Sequence, residues 1–453
     1  MKILIVGCGK VGRALASELS KEKHEIYLLD SDKEVLREVS TLIDCMGVIG
    51  QAASLSDLKS ANVEECELML AMTASDETNI LSCLFAKKAN PKIKTIARVR
   101  STIYSNDLSY IRDELGLTMV VNPEEITARE IARTLRLPAA MKVETFSRSR
   151  VLMVSFELPQ ENVLVNKKVM EVSKISNLPI LVIGIERGEE AIIPNGQNVL
   201  NAKDKVTIMG RPFEVAEFFE KINMIKRPVK EVFIAGGSRI AYYLAKNLIK
   251  TGIKVKIVEV DKDKCIRLAE DLPKAEIICG DATESGLLAE EGINDSDAFV
   301  ALTGLDEENM LLSLYAKSTS DMKVITKVNH IAYDNVIAGL DLGLLVSPKE
   351  ILTEQVIRYV RGFNNALTSA NITTLYRIMN NKAEVLSFRI LKESSITNKP
   401  IKEIATKDNL LIGAIIRDNQ VIIPQGNDEI KLNDMVLVAT SNLGLDDIEG
   451  ILK

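Results

Sequence analysis

The stretch Met1–Gly12, MKILIVGCGKVG, decides how this chain is read. An apolar run of strand type leads into Gly7-x-Gly9-x-x-Gly12, and the amphipathic segment GRALASELSKE follows. Strand, glycine loop and helix in that order form the fingerprint of a dinucleotide-binding unit. Gly7 permits the tight turn, Gly9 lets the backbone approach a pyrophosphate, and Gly12 lets the helix pack closely on the strand. The helix N-terminus then offers N–H groups and a positive dipole end to the phosphates. Asp30 closes the next strand, EIYLLD. Its carboxylate suits ribose hydroxyls and repels a 2′-phosphate, which favours NAD over NADP.

Outward from the loop, residues 1–120 alternate short apolar runs (KILIVG, EIYLLD, MGVIG, LMLAMT, KTIARV, MVVNP) with helical patterns such as DETNILSCLFAKKA. Such alternation predicts a parallel, doubly wound sheet. VNPEEITAREIARTLRLP predicts a helix beginning at Asn122 or Pro123. Residues 143–223 change character. VLMVSFEL, LPILVIGIERG, AIIPNG and DKVTIMG read as strands with hairpin signals at RGEE and PNGQN, and KKVMEVSKI and PFEVAEFFEKI read as helices. That is a small α+β lobe.

The unit is then written again. IIPNG at Ile192–Gly196 recurs as IIPQG at Ile422–Gly426, TASDETN at Thr73–Asn79 as TGLDEEN at Thr303–Asn309, and GQAASLSDL at Gly50–Leu58 as GDATESGLL at Gly280–Leu288, all 230 positions on. Shared turn prolines, glycines and acids make this a true repeat and not a general likeness of apolar strands. The order is therefore a nucleotide-type domain at 1–122, a small lobe at 140–224, a second nucleotide-type domain at 229–347 and a second lobe at 370–453.

In the second copy the loop is eroded. It reads Gly236-Gly237-Ser238-Arg239-Ile240-Ala241, with Ser238 for Gly9 and Ala241 for Gly12, while Glu259 takes the place of Asp30. A side chain then stands where the pyrophosphate would lie. Either a weaker or different adenine nucleotide binds there, or nothing does. After the fourth strand of each copy come Thr73 and Ala74, and Thr303. The segments Thr73–Asp76 and Thr303–Asp306 suit helix capping, and they lie at strand ends that face the ligand crevice. Arg98, with Lys327 as its counterpart, sits at the next strand end, within reach of phosphates or of a neighbouring subunit.

Composition bounds the function. The 453 residues are 46% hydrophobic and 26% charged, the profile of a globular chain of about three domains. A formal net charge of −6 disfavours nucleic acid as a partner. No apolar run approaches the ~18 residues of a membrane helix. MKILIVG has no secretory-signal order, so a cytosolic location is expected. The six cysteines include no CxxC pair and read as reduced, buried small residues.

The motifs VGCGKVG, Asp30, TASDETN, IARVR at Ile96–Arg100, IIPNG with IIPQG, and GDAT at Gly280–Thr283 together resemble the tandem RCK (KTN) family. These are the peripheral, NAD-binding subunits of bacterial Trk-type potassium uptake systems. The resemblance covers essentially the whole chain. It implies two Rossmann-like domains, each followed by a small α+β lobe. It also implies a ring of four chains on the inner face of the membrane, beneath an integral potassium-translocating subunit of the TrkH/TrkG kind. NAD(H), and ATP or ADP, would bias the ring and so gate transport. By the same resemblance Gly7, Cys8, Gly9, Lys10, Val11, Gly12, Asp30, Thr73, Ala74 and Arg98 line the first nucleotide site, and Gly236, Glu259 and Thr303 would line a second. GQAA at Gly50–Ala53 lacks the acid and hydroxyl that GDAT keeps, which implies separate duties for the two halves.

The alternative is a soluble NAD-dependent oxidoreductase. Hydride transfer needs a substrate pocket and a proton donor or acceptor by the nicotinamide. The two histidines, His24 and His330, have no evident partner at a nucleotide strand end, and neither a GxSxG, a HExxH nor a Walker motif occurs. Lysine or tyrosine could still serve as the acid. The residues therefore point to a sensor more than to an enzyme.

Overall fold

The computed structural model describes residues 1–101, 112–137, 140–146, 150–224, 229–284, 286–329, 340–368, 372–379, 382–443, 445 and 447–453. The chain opens with β1 (Lys2–Val6), α1 (Lys10–Lys21), β2 (Glu25–Asp30), α2 (Lys33–Leu42), β3 (Met46–Ile49), α3 (Leu55–Ser60), β4 (Leu68–Ala71), α4 (Asp76–Ala89), β5 (Lys94–Arg98), β6 (Met119–Val121) and α5 (Pro123–Arg136). The strands form one parallel sheet in the order β3-β2-β1-β4-β5-β6. The order reverses between β1 and β4, so their C-terminal ends make the crevice where doubly wound sheets take ligands. Ile3–Val6 and Leu68–Ala71 are fully buried, as central strands covered on both faces must be. Helix starts follow local chemistry. Asp32 accepts from the amides of Glu34 and Val35 at α2, and Asn122 accepts from Glu125 N at α5, just ahead of Pro123.

The first lobe holds β7 (Lys142–Phe146), β8 (Val151–Glu157), α6 (Val169–Ser176), β9 (Leu181–Arg187), β10 (Glu190–Ile192), β11 (Lys205–Gly210) and α7 (Pro212–Lys221). Its antiparallel sheet runs β10-β9-β11-β8-β7. The RGEE signal is the β9–β10 hairpin, with Gly188 at φ +56. PNGQN turns the chain without pairing two strands; beyond it lies a single bridge between Lys168 and Val199.

The second nucleotide-type domain repeats the first: β12 (Glu231–Ala235), α8 (Arg239–Ile249), β13 (Lys254–Glu259), α9 (Lys262–Asp271), β14 (Glu276–Cys279), α10 (Leu287–Glu290), β15 (Ala298–Ala301), α11 (Asp306–Thr319), β16 (Lys323–Lys327), β17 (Leu344–Val346) and α12 (Pro348–Thr368), in the order β14-β13-β12-β15-β16-β17. The second lobe has β18 (Ile372–Ile378), β19 (Ala383–Arg389), β20 (Leu410–Arg417), β21 (Gln420–Ile422) and β22 (Met435–Thr440), in the order β18-β19-β22-β20-β21. Where the first lobe has α6 and α7, the described residues of the second have the 3₁₀ turns Ile401–Glu403 and Ile448–Ile451.

Like packs with like. Met1–Ala132 and Lys230–Ile357, the two nucleotide-type domains, make one compact unit; Arg133–Val229 and Arg358–Lys453, the two lobes, make another. In the first unit the buried Asn122 Nδ2 donates to Tyr243 Oη at 3.1 Å, tying the halves together. In the second, one apolar core mixes Val151, Met153 and Met209 with Val385, Ala414 and Leu437. Among the described residues no helix is long and apolar enough to cross a membrane.

Candidate functional site

The first crevice is built from the ends of β1, β2, β4 and β5. Gly7 has φ +89, and a Cβ there would stand 2.8 Å from the backbone N of Thr73, so β1 and β4 can diverge only around a glycine. A Cβ on Gly12 would stand 2.0 Å from Gly7 O, which fixes how closely α1 lies against the loop. Gly9 has open space around its missing side chain, and α1 starts there with no side-chain cap. The cradle therefore keeps room and helix-end amides where phosphates would lie. Asp30 fixes the loop from the second strand: Oδ2 accepts from Cys8 N at 2.5 Å and Oδ1 from Asp32 N at 3.0 Å. Each carboxylate oxygen retains a further acceptor site for a ribose hydroxyl. Lys10 and Val11 open α1, with Lys10 exposed. Cys8 is buried, and burial, helped by the Asp30 carboxylate, pushes its thiol up to about 12, which leaves it inert.

Thr73 and Ala74 follow β4 beside Gly7, but Thr73 does not cap α4. Ser75 does, accepting from Thr78 N at 3.1 Å. Thr73 is held instead by Asn79, whose Oδ1 accepts from both Thr73 N and Oγ1 at 2.8 Å. The Nδ2 of the fully buried Asn79 donates to Thr73 O and to Arg98 O, and the Arg98 guanidinium also donates to Thr73 O. Asn79 thus fastens the ends of β4 and β5, and Asp76 accepts from the amides of Arg100 and Ser101 just beyond. Asn79 matches no nucleotide-binding motif, so it is not among the residues expected at the site. The signal was present, because TASDETN and TGLDEEN end on the same residue, and Asn309 repeats the bonds to Thr303 and Lys327 O.

The second crevice keeps this frame. Gly236 has φ +95 with Thr303 N 2.8 Å from its would-be Cβ, and Glu259 accepts from Gly237 N at 2.8 Å and Asp261 N at 2.9 Å, as Asp30 does from Cys8 and Asp32. Gly236, Glu259 and Thr303 meet in one cavity of about 300 Å³, joined by Lys264, Asp281 and Lys327. Ser238 stands in for Gly9 and caps α8 through its hydroxyl, which accepts from Ala241 N at 3.4 Å.

Between the two glycine loops, within the same compact unit, lies a cleft of about 970 Å³. Lys10, Arg98 and Arg100 line it from the first half; Arg239, Lys264, Arg267, Lys327 and Lys349 line it from the second; Glu124 and Asp271 are the acids. Burial, then the charge of Arg100, draws Arg98 below the usual arginine range, and burial draws Lys327 down against the pull of Asp306. An anion in the cleft would relieve both. Arg98 Nε and Glu124 Oε2 are buried there with no protein partner. His24 lies at the N-terminal end of β2, opposite the crevice, its side chain 5% exposed; His330 falls outside the described residues. No group of three or more metal-ligating side chains occurs among the described residues.

The TrkA-N domain model matches residues 3–123 and 232–348, and the TrkA-C domain model matches 153–223 and 385–453. The Trk system potassium uptake protein TrkA homolog 2 of Methanosarcina mazei is 30% identical over 460 residues, covering 100% of both chains. The Archaeoglobus fulgidus homolog is also 30% identical with 100% of both covered, and the Halomonas elongata TrkA is 29% identical over 97% of this chain and 95% of its own. Among solved structures, the GsuK channel superposes with TM-score 0.65 at 17% identity, covering 97% of this chain and 77% of the channel; the GsuK channel bound to NAD gives 0.64 with the same coverage. At that identity the superposition shows the fold alone.

Proposed function

The chain belongs to the TrkA family, and from that premise we propose that it is a nucleotide-sensing regulatory subunit that gates a membrane potassium-uptake partner. The carrying observation is the first crevice, where Gly7, Gly9, Gly12 and Asp30 keep phosphate room and a ribose acid together, and where Lys10, Val11 and Arg98 also line a basic cleft shared with the second half. NAD(H) fits the crevice, with its pyrophosphate over Gly9 and the α1 amides and its adenosine ribose on Asp30. The cations that line the cleft, Arg98 and Lys327 among them, would meet the phosphates of ATP or ADP. The chain's own residues would bind, orient and report. A ligand that bridges Arg98 to Arg239 draws the halves together, and one that does not leaves the cations to repel each other. Two nucleotides that differ in this contact bias two shapes of one unit, with a coupling of about 1–3 kcal/mol typical of such linkage. A ring of four chains on the cytoplasmic face is the assembly that would transmit that bias.

The test is calorimetric titration of the full chain with NADH, ATP and ADP, followed by potassium flux in vesicles reconstituted with the membrane partner. Binding in the micromolar range that weakens by roughly 10–100-fold in Asp30→Ala, together with nucleotide-dependent flux, supports the proposal. Flux indifferent to nucleotide would defeat it, as would consumption of NADH by the purified chain with carbonyl substrates.

A further inference from the structure

Cys279 is the last residue of β14, an edge strand, and it is exposed. Its partner across the parallel ladder is Glu259, the acid of the second crevice. Cys265, one turn into α9, is buried, and its Sγ–H donates to the carbonyl oxygen of that same Glu259 at 3.1 Å. Both cysteines therefore flank Glu259, Cys279 beside it on the ladder and Cys265 at its carbonyl oxygen, and Cys279 is close enough to raise the Cys265 thiol. The first half holds Leu36 and Ile49 at the equivalent positions, so this pair belongs to the second crevice. The remaining cysteines are buried except Cys45, which is half-buried near the first loop.

We propose that Cys265 and Cys279 are an oxidation site, a dithiol that hydrogen peroxide converts to an intramolecular disulfide at the rim of the second crevice. Exposed Cys279 meets the oxidant. Its sulfur attacks one peroxide oxygen, the O–O bond breaks, and the products are a sulfenic acid and one water. The Cys265 sulfur then attacks the Cys279 sulfur. The S–S bond forms as the S–O bond breaks, and the hydroxyl leaves with the Cys265 proton as a second water. Two thiols thus give two protons and two electrons to peroxide. Burial, then its neighbour Cys279, pushes the Cys265 thiol up to about 11, which suits the resolving partner and not the first attacker. The disulfide removes the sulfhydryl donor that ties α9 to Glu259 O. Oxidant and nucleotide then act on one strand end; that last clause rests on the nucleotide reading above, whereas the thiol chemistry does not.

The full chain is treated with stoichiometric peroxide, alkylated under denaturing conditions without reduction, digested and weighed. The expected result is a linked Cys265–Cys279 peptide as the main oxidised species, with Cys45 recovered alkylated. In Cys265→Ser, sulfenic acid on Cys279 trapped by dimedone should rise several-fold over the parent chain. Recovery of alkylated Cys265 beside an oxidised Cys279 in the parent chain would overturn the proposal, as would Cys279 linked to Cys45 or to another chain. The parent-chain map decides the matter even if the serine variant fails to fold.

Discussion

The two glycine loops reach the same hydrogen bond from different residues. In the first, a cysteine amide meets the shorter acid, Cys8 N to Asp30; in the second, a glycine amide meets the longer one, Gly237 N to Glu259. The lengths compensate. A Cβ on Gly237 would lie 2.9 Å from Glu259 Oε2 and 2.6 Å from Leu268 Cδ1, so the extra methylene of the glutamate fills the room that Cys8 uses in the first copy. The erosion of the motif therefore falls on the phosphate end, where Ser238 replaces the open space of Gly9, and not on the acid. Loss of a glycine from a fingerprint does not by itself retire the ribose end.

The largest test of this contrast is Gly12→Val. The new side chain must start 2.0 Å from Gly7 O, so α1 has to move and the cradle opens. NADH affinity should fall by roughly 100-fold, about 3 kcal/mol, in calorimetry, with a lowered Tm. Unchanged binding would remove the first loop from the site. Next comes Asp30→Ala, which deletes a charge-assisted acceptor worth about 1.5–3 kcal/mol, a loss of roughly 10–100-fold. Glu259→Ala should leave that same isotherm where it was, and an equal loss would mean the halves are not separate. Third, Gly237→Ala should cost about 1–2 kcal/mol in denaturant unfolding through overpacking, and Glu259→Asp in the same chain should recover the share due to the carboxylate while the contact with Leu268 remains. Additive losses would break the compensation argument. Smallest is Ser238→Gly, which trades a helix cap for space. Stability should change by a few tenths of a kcal/mol, and any gain in dinucleotide affinity would be read at the second crevice alone.

The fold was legible because repeats and periodicity are local. KILIV, EIYLLD and LMLA announced buried parallel strands, and DETNILSCLFAKKA is α4 residue for residue. What resisted reading was tertiary. The capping expected within Thr73–Asp76 is supplied by Ser75, but in Thr303–Asp306 the N-cap position is Leu305 and no side chain caps α11; in neither copy does periodicity reveal that an asparagine, Asn79 or Asn309, holds the threonine. PNGQN has hairpin residues but lacks a following strand to pair with. Two cysteines depart from the expected burial: Cys279 is exposed, because β14 is an edge, and Cys45 is half-buried. The pairing of domain with domain and lobe with lobe leaves no trace in periodicity. So the basic cleft, whose cations come from both halves, could not be assembled from the sequence, although Lys10 and Arg98 were each singled out.

In the unit made of the two lobes, β9 and β20 each carry a glycine, and each glycine receives a methionine from the opposite lobe. Met379 lies 3.1 Å from the would-be Cβ of Gly184, and Met209 lies 3.0 Å from that of Gly413. The exchange is mutual, so neither sheet is finished without a side chain lent by the other. A chimera that grafts one half onto a relative's complementary half would bring together, at each glycine, a methionine position shaped by a different partner, so the seam between the lobes is where its packing would first be tested.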